Sequence, residues 1–505
     1  MLFVSIRSLG IPSCRSRIKL CPEELDTTVF TVSSLLPSVA HNLINRKILT
    51  DPSIIICRRV AYLRSAVCPA MLSRTIPAAA RRALPSSSRK YSVYAWGTST
   101  KGTIPVSEII DEGKSGGGSS IIPGGGGTKF DIPRQIDVQK AFAIDDKSVI
   151  VKRVACGPSG TAAILSDGRC FVAGSNENGQ LGTGDKVDVT VPKLLEASES
   201  SPLSESGVAT IRLGSNFSAL IDDNGDLYSW GFGGSALSGM GCLGHGDAES
   251  HLRPKLVESL VEDGCYAADV AVGELHMTVL TTEGEVLTTG SGAYGRLGNL
   301  ETADQLYLDP VELLGGEEVA QICSGHAFSL ALTKDGIIHG WGRNDKGQLG
   351  VGASLSVDVY AMSALPSPIE GQLEGRIVTK IAAGHSHAAA VTDDGELFMW
   401  GSSVYLEPQL FPNLLHTQVV DIACGQDYTM ALTKEGEVYT FGKGKTGVLG
   451  LASLKKANQP TLVEGLKGKN VTEISAGWKH CMILAEEDGE SSSADEKPEG
   501  DEGAQ

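Results

Sequence analysis

The sequence predicts an all-β fold, a seven-bladed β-propeller whose N- and C-terminal strands close the last blade, flanked by disordered ends. Three observations support this prediction. A glycine-rich segment recurs along the chain, each copy contains several short runs of strand-forming residues, and the last copy lacks a half that is found near the N-terminus. Repeats of roughly 40 to 50 residues with several strands each are typical of propellers.

The copy "GHAFSLALTKDGIIHGWGRNDKGQLGVG", residues 325–352, shows how one repeat is built. Residues 329–333 and 337–341 have strand-forming character, and Lys334-Asp335-Gly336 between them favours a tight hairpin turn. The glycines are therefore explained as turns of a β-fold, because the hairpin leaves no room for a phosphate-binding helix.

The copies align on a leading glycine, at spacings of 41 to 59 residues: Gly157, Gly214, Gly273, Gly325, Gly384, Gly425 and Gly477. Six repeats end in a proline followed by aliphatic residues, which predicts an edge strand that need not donate every hydrogen bond. These prolines are Pro192, Pro254, Pro310, Pro368, Pro412 and Pro460. The 61 glycines and the absence of long helical periodicity agree with a turn-rich β-domain.

The seventh copy ends at the acidic tail, before any Trp-Gly strand. Its missing half is at the other end of the chain, where "YSVYAWGTSTKGTIP", from Tyr91, carries Trp96 and "DIPRQIDV", from Asp131, carries the proline-aliphatic run. We expect these N-terminal strands to complete the last blade, since closure removes the open edges of a linear stack. The propeller is placed at residues 91–489, with a Gly/Ser-rich insertion at 111–130.

The two ends of the chain differ from the repeats. Residues 1–90 hold 14 Lys and Arg against four acids, and "MLSRTIPAAARRALPSSSRKYS", from Met71, has the composition of a mitochondrial transit peptide. This predicts a mitochondrial protein, in the matrix or on the matrix face of the inner membrane, with Met1 and Met71 as alternative start sites. A disordered basic tail is the alternative. Residues 490–505 are predicted to form a disordered acidic tail.

Charge and hydropathy narrow the kinds of partner that the sequence predicts. Residues 1–90 contribute about +10 and residues 485–505 about −8 to the formal net charge of −17, which leaves about −19 on the repeats between them. Such a body is repelled by phosphate backbones, so the sequence argues against nucleic-acid binding. No stretch offers the roughly 18 consecutive apolar residues of a membrane-spanning helix. A soluble or peripherally membrane-associated protein with a protein partner is expected.

Several motifs that suggest chemistry have a structural explanation. "GSGAYG", from Gly290, fits a dinucleotide fingerprint but occupies the Trp-Gly position of a repeat, and "GKGKTG", from Gly442, lacks the first glycine of a P-loop. "GHSH" at 384–387 suggests a metal, yet His387 shares its repeat position with aromatic residues, which indicates packing. That position holds Phe217, His276, Phe328, His387, Tyr428 and His480. The 11 cysteines form no C-x-x-C pair. We therefore predict no catalytic residues, no metal site and no cofactor.

The recurring series Gly-x-x-His/Phe/Tyr, Asp-Gly, Trp-Gly and Gly-Gln-Leu-Gly-x-Gly resembles the regulator of chromosome condensation repeat family over about residues 91–489. The resemblance implies a seven-bladed propeller, and the presequence is similar to that of the family's mitochondrial branch. The fifth copy, "WGSSVYLEPQLFP", and the N-terminal "GTIP" depart from the pattern, so we expect irregular blades there.

The resemblance implies two classes of function. Members of the mitochondrial branch are associated with assembly of inner-membrane respiratory complexes and with mitochondrial ribosome maturation, which implies a non-catalytic scaffold that binds assembly components. The founding member is a guanine-nucleotide exchange factor for a small GTPase, which leaves exchange on a mitochondrial or small GTPase as the alternative. A plant ultraviolet-B photoreceptor of this family uses clustered Gly-Trp motifs, and only Gly477-Trp478 matches here.

Recognition is expected where the repeats differ, because loops on a rigid scaffold often carry binding residues. Copy two has a longer segment, "GFGGSALSGMGCLGHGD", from Gly231. The partner-binding candidates in it are Ser235, Leu237, Met240, His245 and Asp247. A second excursion, "DEGKSGGGSSIIPGGGGTKF", begins at Asp111. A tolerated surface insertion is the alternative for both segments.

Overall fold

The structure, a computed structural model, describes residues 90–110, 119–121, 127–146, 148–197, 203, 205–352, 361–414, 417–452 and 454–487. Seven antiparallel sheets of four or more strands form the seven blades of a β-propeller, and the last contains strands from both ends of the chain. The predicted fold class is therefore confirmed. The predicted transit segment, up to residue 89, and the acidic tail lie outside the described residues.

The first strands in chain order are β1 (Tyr91–Ser99), β2 (Ser119–Ile121), β3 (Thr128–Ile136), β4 (Val151–Cys156), β5 (Gly160–Leu165), β6 (Cys170–Gly174), β7 (Val189–Leu194), β8 (Val208–Leu213), β9 (Phe217–Asp222), β10 (Leu227–Gly231), β11 (Gly234–Ser235), β12 (Gly239–Met240), β13 (His251–Leu256), β14 (Ala267–Val272), β15 (His276–Thr281), β16 (Val286–Gly290) and β17 (Gln305–Pro310). The remaining strands are β18 (Val319–Ser324), β19 (Phe328–Thr333), β20 (Ile338–Arg343), β21 (Met362–Pro368), β22 (Val378–Ala383), β23 (His387–Thr392), β24 (Leu397–Gly401), β25 (Tyr405–Leu410), β26 (Val419–Cys424), β27 (Tyr428–Thr433), β28 (Val438–Lys443), β29 (Lys456–Leu462), β30 (Asn470–Ala476) and β31 (His480–Glu486).

The blades follow this order. Blades 1 to 6 are β4–β7, β8–β10 with β13, β14–β17, β18–β21, β22–β25 and β26–β29, and blade 7 combines β30 and β31 with β1, β3 and β2. The helical turns are short: Val138–Ala141 and Glu258–Glu262 are α-helical, and the 3-10 turns are Val106–Glu108, Ala293–Gly295, Glu312–Leu314, Gly371–Leu373, Pro412–Leu414 and Glu464–Leu466. Within the described residues, none of these helices is long or apolar enough to cross a membrane.

The hairpin predicted at residues 329–341 is present as β19 and β20. Their turn contains Gly336, whose φ of 84° suits glycine. The proline prediction was wrong in blade 5, where Pro412 begins a 3-10 turn and Pro408 lies in the outer strand β25 instead. The reason is the short connection before β25. Because β24 ends at Gly401 and β25 already begins at Tyr405, the outer strand is complete before the chain reaches Pro412.

The Trp-Gly and Gly-x-Leu-Gly signatures meet between neighbouring blades. The indole N–H of a tryptophan in one blade donates to a carbonyl of the preceding blade at 2.8 to 2.9 Å: Trp96 to Val448, Trp230 to Gln180, Trp341 to Arg296 and Trp400 to Gln348. All four rings are buried. The glycine two residues after each carbonyl lies so close to the same ring that a Cβ there would clash with the indole. The two signatures together therefore join successive blades.

Gly298→Ala tests this contact. Gly298 has a φ of +75°, and a Cβ there would lie 2.9 Å from Trp341 Nε1, so alanine brings both backbone strain and a clash with a buried ring. We expect the free energy of unfolding to fall by about 2–4 kcal/mol in urea titrations.

Gly375→Ala is the matched control, because Gly375 also has a φ of +75° but nothing lies within 4 Å of its Cβ position. This control should show the backbone strain alone, at about 1 kcal/mol. Equal losses in the two variants would contradict the contact with Trp341.

A second contact between blades involves the repeat position shared by histidine and aromatic residues. His276, His387 and His480 are buried, and each Nε2 lies 2.8 to 3.1 Å from a hydroxyl of the next blade. The three hydroxyls belong to Ser329, Thr429 and Thr161, respectively. These histidines therefore pack as aromatic rings with one polar contact.

Blade 7 closes the ring. β1 pairs with β31 from Tyr91↔Glu486 to Gly97↔His480 and with β3 on its other side. The Cys156 N–H of blade 1 donates to Ser475 Oγ of blade 7 at 2.8 Å, and His480 reaches Thr161 of blade 1. The first and last blades are thus joined like any other neighbouring pair.

Candidate functional site

A channel of about 1310 Å³ runs along the centre of the propeller. It is lined by the innermost strand of every blade: β4, β8, β14, β18, β22, β26 and β30. Charged side chains of both signs point to it: Arg153, Arg212, Lys380, Asp269, Asp421 and Glu473. Arg212 and Asp269 form an ion pair at 3.1 Å. The lining is therefore mixed, with charged side chains of both signs among apolar ones.

The two ends of the blades form two different faces. The connections between the first and second strands and between the third and fourth strands lie at the same end, as the pairing of Gly231 with Phe217 shows in blade 2. We call this end the loop face. The opposite end, with the hairpin turns between the second and third strands and the links to the next blade, is the turn face.

The turn face is acidic. Each of the six hairpin turns in blades 1 to 6 carries at least one carboxylate, among them Asp167, Asp223, Glu283, Asp335, Asp394 and Glu435. The links between blades add further acids, among them Glu258, Glu262, Glu312, Glu317, Glu370 and Glu374. The negative charge predicted for the propeller is therefore concentrated at one end.

On the loop face, four side chains form a row around the channel mouth. Glu274 Oε2 lies 2.7 Å from His326 Nδ1, and the His326 ring meets the His385 ring edge-on at 4.3 Å. His385 in turn meets Trp478 edge-on at 5.5 Å. This mouth cluster, Glu274, His326, His385 and Trp478, draws on blades 3, 4, 5 and 7 and presents an aromatic and a carboxylate side chain to the channel.

The surroundings lower the pKa values of two members of the mouth cluster, Glu274 and His385. The hydrogen bond from His326 lowers the pKa of Glu274, so this carboxylate stays ionised in mild acid. Burial, followed by the nearby His326, lowers the pKa of His385. The cluster therefore combines the ionised carboxylate of Glu274 with the neutral imidazole of His385, which suits a partner that presents a cationic or hydrogen-bonding group.

Beside this cluster, the connection that contains "GSGAYG" folds as a tight turn. Tyr294 adopts a φ of 63°, and two guanidinium groups lie over its ring, with Cζ of Arg343 4.9 Å and Cζ of Arg296 5.5 Å from its centroid. Arg343 also pairs with Asp345 at 2.6 Å. The loop face at blades 3 and 4 thus combines tyrosine, arginine and histidine within a small area.

The candidates predicted in blade 2 fall into two groups. Ser235 and Met240 lie in the hairpin β11–β12, with Leu237 fully exposed at its tip. The Met240 N–H donates to Asp304 of blade 3 at 2.9 Å, which fixes the hairpin on the loop face. These three residues are accessible to a partner.

His245 and Asp247 serve the loop itself. His245 Nε2 lies 3.1 Å from Ser229 Oγ, and burial lowers the pKa of His245 to about 4. Asp247 accepts a hydrogen bond from the Glu249 N–H at 2.9 Å. In the second excursion, β2 pairs with β3 on the same face, and residues 111–118 and 122–126 lie outside the described part.

The mouth cluster was not predicted from the sequence. Its members share one signal, because each lies one residue after the leading glycine of its repeat. That position varies from copy to copy: Pro158, Ser215, Glu274, His326, His385, Gln426 and Trp478. A position that varies beside a recurring glycine points to a role outside the common fold. Among the described residues, no group of three or more His, Cys, Asp or Glu is arranged to hold a metal ion.

Models of known families match most of the propeller. Residues 263–494 match the RCC1-like domain, and residues 167–221 and 224–280 match the regulator of chromosome condensation (RCC1) repeat. A second model of the same repeat matches residues 151–180. The sequence is 30% identical to human HERC2, an E3 ubiquitin-protein ligase, over 394 residues, which are 77% of this chain and 6% of that protein.

Two further kinds of relative are similar in part or in fold. The ultraviolet-B receptor UVR8 of Arabidopsis thaliana is 33% identical over 252 residues, half of this chain and 53% of the receptor. Prp20p from Saccharomyces cerevisiae, which binds Gsp1p and histones, has a TM-score of 0.65 at 21% identity, over 80% of this chain and 93% of its own.

Human WBSCR16 has a TM-score of 0.64 at 22% identity, over 79% of this chain and 99% of its own. These two structures agree with the seven-bladed architecture, and the family models extend the agreement to the repeat signatures. The chain belongs to the regulator of chromosome condensation repeat family.

Proposed function

We propose that this protein is a non-catalytic mitochondrial scaffold that binds protein partners on its loop face during assembly of inner-membrane respiratory complexes or of the mitochondrial ribosome. The observation that carries the proposal is the contrast between the two faces. The loop face gathers Trp478, Tyr294 and Arg343 around the channel mouth, and these residue types are enriched at binding hot spots. The turn face, in contrast, carries mostly acidic residues.

The location within the cell rests on the N-terminal composition. Residues 1–90 are basic, and no acid occurs between Asp51 and Glu108, as in a transit peptide. The first described strand begins at Tyr91, so removal of this segment leaves every described strand in place. Fractionation of cells that express the tagged protein tests this part, and its absence from mitochondria would contradict it.

Exchange on a GTPase is the second candidate. The resemblance to the family's founding member implies it, and the similar fold of Prp20p, a protein that binds Gsp1p, supports its inclusion. Exchange requires a surface that displaces nucleotide and needs no cofactor of the propeller. A GTPase captured in its nucleotide-free form as the main partner would favour this candidate over the scaffold.

Tagged purification from isolated mitochondria, followed by mass spectrometry, tests the scaffold and its face together. Trp478→Ala with Arg343→Ala, and separately a deletion of residues 235–240, should each reduce the recovery of respiratory-complex or ribosomal subunits at least tenfold. The control is Ile337→Ala, which shortens a side chain that is 48% exposed on the turn face. If Ile337→Ala alone abolished recovery of the partners, the binding surface would lie on the turn face, and the proposed loop-face surface would be contradicted.

A further inference from the structure

The connection between β28 and β29 in blade 6 differs from the other loops in its charge. Lys443, Lys445, Lys455 and Lys456 lie within or beside it, and no Asp or Glu occurs from residue 443 to 456. Lys479 of blade 7 belongs to the same surface, because Thr98 links it to this connection. The Thr98 N–H donates to Lys479 O, and the Thr98 hydroxyl donates to Thr446 O. We call these five lysines the lysine patch.

The lysine patch is mostly uncompensated. Lys443 lies 3.6 Å from Asp427, and Lys129 at the edge of the patch is paired with Asp131 at 2.6 Å. Among the described residues, no carboxylate lies within ion-pair distance of the other four lysines. On a chain with a formal net charge of −17, five exposed lysines with one close acid form a distinct surface.

The arrangement of these lysines is unfavourable for the fold. Lys443 and Lys456 are directly opposite each other on neighbouring strands, and like charges in that position are destabilising. Asp427 pairs with Lys443 alone, so the charge of Lys456 is left for an anionic partner to neutralise.

An apolar side chain accompanies the lysines. Leu454 is 45% exposed and directly precedes Lys455 and Lys456. An exposed leucine beside lysines matches an anionic membrane surface, where apolar burial and electrostatic attraction act together.

The absence of arginine from the patch favours lipid over protein. Lysine is depleted in protein–protein interfaces, where arginine is enriched. Against an anionic membrane, in contrast, each flexible lysine near the surface contributes separately. The acidic turn face lies at the other end of the molecule, so docking through the patch directs that charge away from the lipid.

We propose that the lysine patch, with Leu454, docks the propeller onto a bilayer that contains anionic phospholipid. Blade 6 stands three blades from blade 3 around the ring. The hairpin β11–β12 and Glu274 at the far end of the mouth cluster therefore stay available to a protein partner beside the membrane, whereas Trp478 directly precedes Lys479 and borders the patch. This inference does not depend on the proposed function.

Cosedimentation of the full chain with vesicles tests the proposal. Vesicles of phosphatidylcholine with phosphatidylglycerol should bind the protein, and phosphatidylcholine alone should bind it far more weakly. Each lysine of the patch replaced by glutamine should weaken binding about fivefold, so Lys445→Gln with Lys455→Gln should weaken it roughly 25-fold. Leu454→Ser should also reduce binding.

The matched control is Lys434→Gln with Lys467→Gln, which removes the same charge from the turn face of the same blade and should leave binding unchanged. Three results would overturn the proposal: equal binding to neutral and anionic vesicles, undiminished binding by the patch variant, or an equal loss in the control. Capture of polyglutamate without binding of vesicles would instead assign the patch to an acidic protein.

Discussion

Deletion of residues 1–99 should prevent the propeller from folding, whereas deletion of residues 1–89 should leave it intact. The longer deletion removes β1, whose partners β31 and β3 would each expose an unpaired edge. It also removes Trp96, a fully buried ring whose loss alone is expected to cost about 3–5 kcal/mol. That loss is a large share of the 5–15 kcal/mol that typically stabilises a folded domain.

Circular dichroism and thermal unfolding of the two truncated proteins give the measurement. The chain that begins at Lys90 is the control, because it retains every described strand. A cooperative transition at the same temperature in both proteins would contradict the pairing of β1 in blade 7. The fold would then have to close through other strands.

Acid should destabilise the protein from about pH 6.5 downward, through its buried histidines. Burial lowers the pKa of His387 and His480 from 6.5 to about 4, and that of His276 well below 6.5. Between these values the unfolded chain binds a proton at each histidine and the folded chain does not. Stability is therefore lost as the pH falls, by up to about 1.4 kcal/mol per pH unit for each histidine.

The variant His387→Phe with Thr429→Ala tests this prediction. It gives blades 5 and 6 the pair that blades 4 and 5 already use, Phe328 with Ala388, which lie in one buried cluster. Urea titrations at pH 7.5 should show a change of at most about 1 kcal/mol. At pH 5 the variant should be more stable than the natural protein by about 2 kcal/mol.

An equal loss of stability between pH 7.5 and pH 5 in the variant and in the natural protein would contradict this account of His387. The single variant Thr429→Val provides a second comparison. It leaves the buried imidazole without its hydroxyl partner, so it should be less stable than the natural protein at both pH values, by about 1–3 kcal/mol.

The blades were predictable because each repeat carries its own turn and strand signals. The closure of blade 7 was predictable for a related reason, since the half-repeat at Tyr91 matches what the last copy lacks. The outer strand of blade 5 was misplaced at Pro412 because that copy has lost the Gly-x-Leu-Gly segment that marks the register elsewhere. Local pattern is a good guide where the repeat is regular.

The surfaces were harder to predict, because their members meet only after the ring has formed. Glu274 and Trp478 are 204 residues apart in sequence, yet they belong to one cluster at the channel mouth. The lysine patch was hidden for a different reason. The formal charge of about −19 is a sum over the acidic turn face and the basic lysine patch, so it hides the patch. The two surfaces can be told apart only once the strand order is known.

The contacts of the histidine position also specify which blade follows which. His276, His387 and His480 precede blades that offer Ser329, Thr429 and Thr161, while Phe328 precedes a blade with Ala388 there. A shuffled ring would bury an imidazole against alanine or a hydroxyl against phenylalanine. Circular permutation, in contrast, would preserve every neighbour. The repeats are similar enough to share one architecture, but they are not interchangeable parts.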